Sequence, residues 1–270
     1  MLCFPNCKIN IGLYITNRRD DGYHDLETIF YPIPLCDVLE VVPAAETQLH
    51  QSGLAVAGNT TDNLVWKAYQ LLKTTFKDKL PNLNIYLNKI IPMGAGLGGG
   101  SADGAYMLRL LNDYSQLSLS NEQLISFAAQ LGSDCPFFIH NKPQFATGRG
   151  ELMKEIALDL SNYSVQLICP DVHVATGKAF SLLTPKPAGY DLQQIPTLPV
   201  EEWKGCISNN FEEPIFKQHP ILATIKQQLY DGGAIYAAMS GSGSAIFGIF
   251  PKNQKAPVNL DVHIKTFYFA

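Results

Sequence analysis

The sequence contains no C-x-x-C pair, no block of Lys and Arg, no Lys directly after its one dense glycine tract, and no apolar run of the ~18 residues a membrane span needs. Each absence removes a class of function. Six cysteines (Cys3, Cys7, Cys36, Cys135, Cys169 and Cys206) without paired spacing give a zinc site or a thioredoxin-type motif nothing to rest on. A chain of 270 residues builds its core without disulfides, so the six read as reduced, mostly buried thiols. The net charge of −4, spread without a basic cluster, offers no nucleic-acid surface. Nor is there a charged-then-apolar opening of the kind that directs secretion. Informative sequence begins by Phe4 and leaves no room for a targeting extension, so the chain reads as cytoplasmic. What is left is a composition 46% hydrophobic and 16% charged, ordinary for a globular protein and contrary to disorder.

Against these absences stands Pro92-Met93-Gly94-Ala95-Gly96-Leu97-Gly98-Gly99-Gly100-Ser101-Ala102-Asp103, five glycines within seven positions leading into a helical segment. Glycine at such density is entropically costly in a folded chain, and a plain turn needs only one or two special backbone positions. Bare amides and the positive end of a helix dipole together make a seat for phosphate. The nucleotide-binding pattern G-x-x-x-x-G-K-[ST] is absent because no Lys follows. The dinucleotide pattern G-x-G-x-x-G matches literally at Gly94, Gly96 and Gly99, but its context fails. Pro92 interrupts the approach, where an apolar strand would lead straight in. The nearest well-spaced acid, Asp113, reads as the end of the following helix and not of a strand.

Elsewhere the N-terminal third reads as β-rich, with strands over 8–15 and 37–42. A helix capped by Asp62 runs through Leu64, Val65, Ala68, Leu71 and Leu72, and 83–88 alternates as a strand. The helix after the glycines, 102–111, is apolar almost all round and so is expected to be buried. Ser120-Asn121-Glu122-Gln123 forms a capping box for a helix that Gly132 ends. A second region follows near residue 150, with a strand over 164–169, a Pro-rich stretch from Pro185 to Pro199, and a helix from about Pro214 to Tyr230. A second Gly/Ser turn, Met239-Ser240-Gly241-Ser242-Gly243-Ser244, precedes an apolar strand from Ala245 to Phe250. Strands and helices that do not strictly alternate argue for an α+β fold and against a doubly wound parallel sheet. The expected division is 1–152 and 153–270.

Three further segments bear on chemistry. Lys8-Ile9-Asn10 projects two polar side chains from one strand face among apolar neighbours. A lysine at a strand end that snorkels to water is the plain alternative. Asp134, in Leu131-Gly132-Ser133-Asp134-Cys135-Pro136-Phe137-Phe138, follows a helix stop and precedes a rigid, aromatic stretch. By itself such an Asp is a turn-former; beside a Lys it becomes a base able to accept a hydroxyl proton in phosphoryl transfer. Asp21-Gly22-Tyr23-His24 is either a hairpin corner or a site where an organic ring stacks on Tyr23 and bonds to His24.

These motifs together resemble the galactokinase, homoserine kinase, mevalonate kinase and phosphomevalonate kinase (GHMP) superfamily. Pro92 to Asp103 and the Ser240–Ser244 turn carry that likeness. Lys8-x-Asn10, Arg19-Asp20-Asp21-Gly22-Tyr23-His24-x-Leu26-x-Thr28 and Leu131-Gly132-Ser133-Asp134-x-Pro136-Phe137 narrow it. They point to the family that uses ATP and Mg²⁺ to phosphorylate the 2-hydroxyl of 4-diphosphocytidyl-2-C-methyl-D-erythritol, in the non-mevalonate route to isoprenoids. The likeness runs from residue 4 to about 250.

The resemblance implies an α+β, two-domain GHMP-kinase-like fold with the active site in the cleft between domains. The N-terminal domain would bear ATP and the C-terminal domain would close over a small-molecule substrate, cytidine diphosphate-linked methylerythritol. It further implies Asp134 as catalytic base and Lys8 as its cationic partner. Asn10, Tyr23, His24, Thr176 and Phe180 would bind substrate. ATP would be held by Pro92, Gly94, Gly96, Leu97, Gly98, Gly99, Gly100 and Ser101, with Asn63 and Lys89 flanking the nucleoside; the spacing assigns no metal ligand. Departures from the family pattern are small: Cys7 and Gly104 where Ala is usual, Asn17 for a common Gly, and Gly177 for a common Pro. Gly104 would weaken its helix by up to ~1 kcal/mol relative to Ala.

Overall fold

Strands and helices follow one another in the order β1 (Leu2–Cys3), β2 (Asn6–Arg18), β3 (His24–Cys36), β4 (Val38–Pro43), β5 (Gln48–Gly53), α1 (Leu64–Thr75), β6 (Leu83–Lys89), α2 (Gly99–Tyr114), α3 (Asn121–Leu131), α4 (Cys135–His140), β7 (Gln144–Thr147), β8 (Leu152–Glu155), β9 (Tyr163–Pro170), α5 (Thr176–Ser181), α6 (Trp203–Cys206), α7 (Glu212–Gln218), α8 (Pro220–Asp231), β10 (Tyr236–Met239), β11 (Ile246–Pro251) and β12 (Ile264–Phe269). The structure, a computed structural model, describes residues 1–56, 58–258 and 263–270. The fold is α+β, with mixed sheets and helices. The chain forms two compact units: residues 1–8, 32–93 and 98–142 make one, and residues 9–31, 94–97 and 143–270 make the other.

In the first unit a four-stranded sheet runs β1-β4-β6-β5, with β5 parallel to β6 and the other pairs antiparallel. The alternation of β6 decides which side chains enter the core. Leu83, Ile85, Leu87 and Lys89 point inward, while Tyr86 faces out and stacks on His50 at 4.8 Å between ring centroids. Helices α1 and α2 pack against each other, α3 and α4 beside them. The cap of α1 is Asn63, whose side chain accepts the Val65 N–H, one residue beyond the expected Asp62. Asp62 instead closes a capping box on Asn59, around a single tight turn over 60–62. Helix α2 begins inside the glycines, three residues before the expected start, and keeps Ala102, Ala105, Met107, Leu108 and Leu111 buried. Gly104 has a packing reason: a Cβ there would stand 2.9 Å from Leu64 Cβ, so the Ala usual in the family would press α1 and α2 apart.

The second unit contains the antiparallel sheet β10-β11-β9-β12 and most of the sheet β2-β3-β7-β8. Its core joins Leu13 and Ile15 to Phe211, Leu222, Ile225, Leu229, Met239, Ile246 and Phe250. The helix expected over 214–230 is two helices, α7 and α8, broken at His219. Pro220 is the cause: it disfavours helical dihedrals in the residue before it, and His219 takes φ −130°, ψ 75°. None of the six cysteines is in a disulfide; Cys7, Cys135 and Cys169 are buried and Cys206 is exposed.

Candidate active site

Lys8 and Asp134 meet within the first unit. Lys8 Nζ stands 3.7 Å from Asp134 Oδ2, with the lysine side chain 5% exposed and the carboxylate 32% exposed. The pair arises from two local signals. Strand β2 is buried along most of its length, so a lysine in it cannot reach water and needs a carboxylate. Asp134 is delivered by Gly132, which ends α3, and by Pro136 in the first turn of α4, which fixes the chain direction after it. Burial lowers the Lys8 pKa below the ordinary value for lysine, and the charge of Asp134 acts in the opposite direction. The result is a cation held in place next to a carboxylate that solvent, or a hydroxyl, can reach.

The glycine loop reaches the same pair. Gly98 is the N-cap of α2 in a left-handed conformation (φ 69°), and a Cβ on it would stand 3.2 Å from Lys8 Cε and 3.0 Å from Phe138. Among the described residues no side chain caps α2. The first-turn amides at Gly99, Gly100 and Ser101 are therefore available to an anion at the positive end of a 16-residue helix. These features fit a nucleotide triphosphate. No three His, Cys, Asp or Glu side chains are grouped so as to hold a metal ion among the described residues. Asn63, half-buried, also lies in this unit, its amide donating to Gln51 Oε1 at 3.4 Å.

Lys89 is turned into the core. It is 1% exposed, and its ammonium is held by Asp37 and by Asp103, the latter at 2.6 Å. The inward register of β6 is the reason, and the partner Asp37 carried no signal of its own in the sequence.

The remaining candidates lie in the second unit. The first half of the glycine loop is tied there by Ser240, whose Oγ accepts the Asn10 N–H at 3.2 Å and donates to Gly96 O at 2.9 Å. Gly96 has φ 79°, and a Cβ on it would fall 2.0 Å from Ser240 O, so only glycine permits this approach. Asn209, which sequence reasoning did not single out, anchors the turn by donating to Met239 O and Gly241 O, each at 2.8 Å. The Asn10 amide donates to Thr28 Oγ1 at 3.0 Å. His24 stacks on Phe180 with centroids 5.1 Å apart, and Phe180 meets Phe211 edge-on. Tyr23 is 57% exposed, with the Arg149 guanidinium 4.9 Å from its ring centroid. Thr176 and Ser242 share a hydrogen bond of 3.2 Å. Arg19 bonds both Asp21 and Asp25, and these contacts keep the polar turn ahead of Tyr23 in shape.

Two family models match the chain: the GHMP kinases N-terminal domain over residues 63–142 and the GHMP kinases C-terminal domain over residues 200–259. A 4-diphosphocytidyl-2-C-methyl-D-erythritol kinase of Bacteroides fragilis is 52% identical over 259 residues, 94% of each chain. The kinase of the same name from Azobacteroides pseudotrichonymphae is 49% identical, over 97% of this chain and 99% of its own. A crystal structure of a 4-(cytidine 5'-diphospho)-2C-methyl-D-erythritol kinase superposes with a TM-score of 0.80 at 31% identity, covering 92% of this chain and 90% of that one.

Proposed function

Because the chain belongs to the GHMP kinases, and within them to the 4-diphosphocytidyl-2-C-methyl-D-erythritol kinases, we propose that it transfers the γ-phosphoryl group of ATP to the 2-hydroxyl of that alcohol, a step toward isoprenoid precursors. The observation that carries the reading is the buried Lys8 ammonium 3.7 Å from Asp134 and against Gly98, which brings a base, a cation and a phosphate loop to one place in the first unit.

Asp134 accepts the 2-hydroxyl proton as its oxygen attacks phosphorus. Lys8 pairs with that carboxylate and offsets the negative charge gathering on the oxygens. Gly98, Gly99, Gly100 and Ser101 present their backbone to the triphosphate. Pro92, Gly94, Gly96 and Leu97 shape the loop, and Asn63 borders the nucleoside. When bound, Mg²⁺ neutralises phosphate charge. Asn10 holds the methylerythritol, Tyr23 and Phe180 offer ring faces to the cytosine, His24 supplies a hydrogen bond, and Thr176 closes on the substrate. Residues 1–152 would handle ATP and residues 153–270 would help enclose the alcohol. Free cysteines fit a cytoplasmic setting.

Two results test these assignments. Tyr23→Ala is expected to raise KM for the cytidine-linked alcohol about tenfold or more, the scale of one lost base stack, with KM for ATP unchanged. An unchanged KM for the alcohol would remove the base from Tyr23 and favour a smaller acceptor. Gly98→Ala forces a side chain into a left-handed position beside Lys8, and is expected to raise KM for ATP by about tenfold. Steady-state kinetics in both substrates measures each.

A further inference from the structure

Among the described residues, Lys89 is the one buried lysine that the chemistry above does not use, and it stands in a cluster of charge. Asp37, fully buried ahead of β4, accepts the N–H of Ile90 and of Ile91, the latter at 2.9 Å, and also the Lys89 ammonium. The same ammonium holds Asp103 Oδ2 on the opening turns of α2. A Cβ on Gly99, the first residue of α2, would stand 3.4 Å from Lys89 Nζ and 2.8 Å from Ile91 Cγ2. One cation thus fastens the backbone that enters the glycine loop to the helix that leaves it. Breaking such a buried pair leaves an uncompensated charge, so the arrangement is held firmly or not at all.

We propose that Asp37, Lys89 and Asp103 form a positioning device for the nucleotide phosphates, fixing the start of α2 and placing a positive charge beneath it. The proposal rests on the reading above that α2 takes the triphosphate. Its own content is that affinity for ATP, not turnover, depends on the balance of charge in the cluster.

That balance has a titratable member. Asp103 Oδ1 is buried without a hydrogen-bond partner among the described residues. Burial pushes the Asp103 carboxyl up to about 8 even though Lys89 and its hydrogen bond act the other way. Burial also raises the thiols that interact with these carboxylates, Cys3 beside Asp103 to about 12 and Cys36 beside Asp37 upward from its ordinary value. Below the Asp103 pKa the cluster carries one proton for two carboxylates and one ammonium, and is neutral. Above that pKa it is net negative beneath an anion seat, so ATP affinity falls as pH rises through it. By linkage, bound ATP favours the protonated form and raises this pKa.

The experiment compares the wild type, Asp103→Asn and Lys89→Met in KM for ATP, KM for the alcohol and kcat, from about pH 7 to about pH 9. The wild-type KM for ATP is expected to rise about fivefold across that range, while Asp103→Asn, neutral throughout, stays flat with kcat preserved. Lys89→Met is expected to raise KM for ATP about fivefold or more at all pH values, leaving KM for the alcohol unchanged. Should Lys89→Met fail to fold, the pH curve of Asp103→Asn decides alone. An Asp103→Asn curve that follows the wild type overturns the proposal. If Gly98→Ala keeps wild-type ATP affinity, the phosphate-seat reading falls and takes the proposal with it. If Gly98→Ala loses affinity while the two pH curves coincide, only the positioning role is overturned.

Discussion

Replacing Asp134 by Asn is expected to lower kcat by about 10²–10⁴-fold, the range by which a positioned general base speeds a reaction. The substitution keeps shape and polarity but removes the acceptor for the hydroxyl proton. Folding is expected to survive, because the carboxylate side chain is 32% exposed and, although Asp134 is the N-cap residue of α4, makes no capping hydrogen bond there. KM for both substrates is expected to change little, since the lost interaction belongs to the transition state. Near-wild-type turnover in this variant would take Asp134 out of the proton transfer and leave the Lys8 pair with a structural role alone.

Lys8→Ala is the second large effect, with kcat falling about 10²–10³-fold, as when one preorganised electrostatic partner of the reacting group is removed. A cation buried in a strand is fixed before substrate arrives, so it costs little reorganisation when charge develops. The pH dependence follows from the same burial. Desolvation lowers the Lys8 pKa, against the pull of Asp134, and the active form is the ammonium. Turnover is therefore lost as pH rises through the lowered value, and its alkaline limb lies below the range of an ordinary lysine. A rise in KM alone, with kcat kept, would make Lys8 a binding group.

Much of this was legible because its causes are local. The glycine run, the capping box at Ser120, the stop at Gly132 and the Pro136 turn each specify backbone geometry within a few residues, and each is where the sequence places it. The polar side chains of β2 could be read as a strand face, and the pairing of Lys8 followed once burial of the strand was established. Lys89 shows the limit of matching motifs. The likeness to the family says nothing of its two carboxylate partners, while the period-two register of Leu83, Ile85 and Leu87 turns it inward. The break at Pro220 was also local and readable, and the apolar periodicity on either side hid it. Asn209, Arg149 and Asp37 were not legible at all. Each acts on a partner far away in sequence, and a lone Asn, Arg or Asp has no periodicity to betray a long-range bond.

The most direct measurement is ADP release from Mg²⁺-ATP with 4-diphosphocytidyl-2-C-methyl-D-erythritol, run beside the same alcohol without its cytidine. Turnover with the cytidine-linked alcohol alone, phosphorylated at its 2-hydroxyl, is the expected result and joins the Lys8–Asp134 pair to the Tyr23–His24 turn in one reaction. Equal turnover with both alcohols, or none with either, would contradict it.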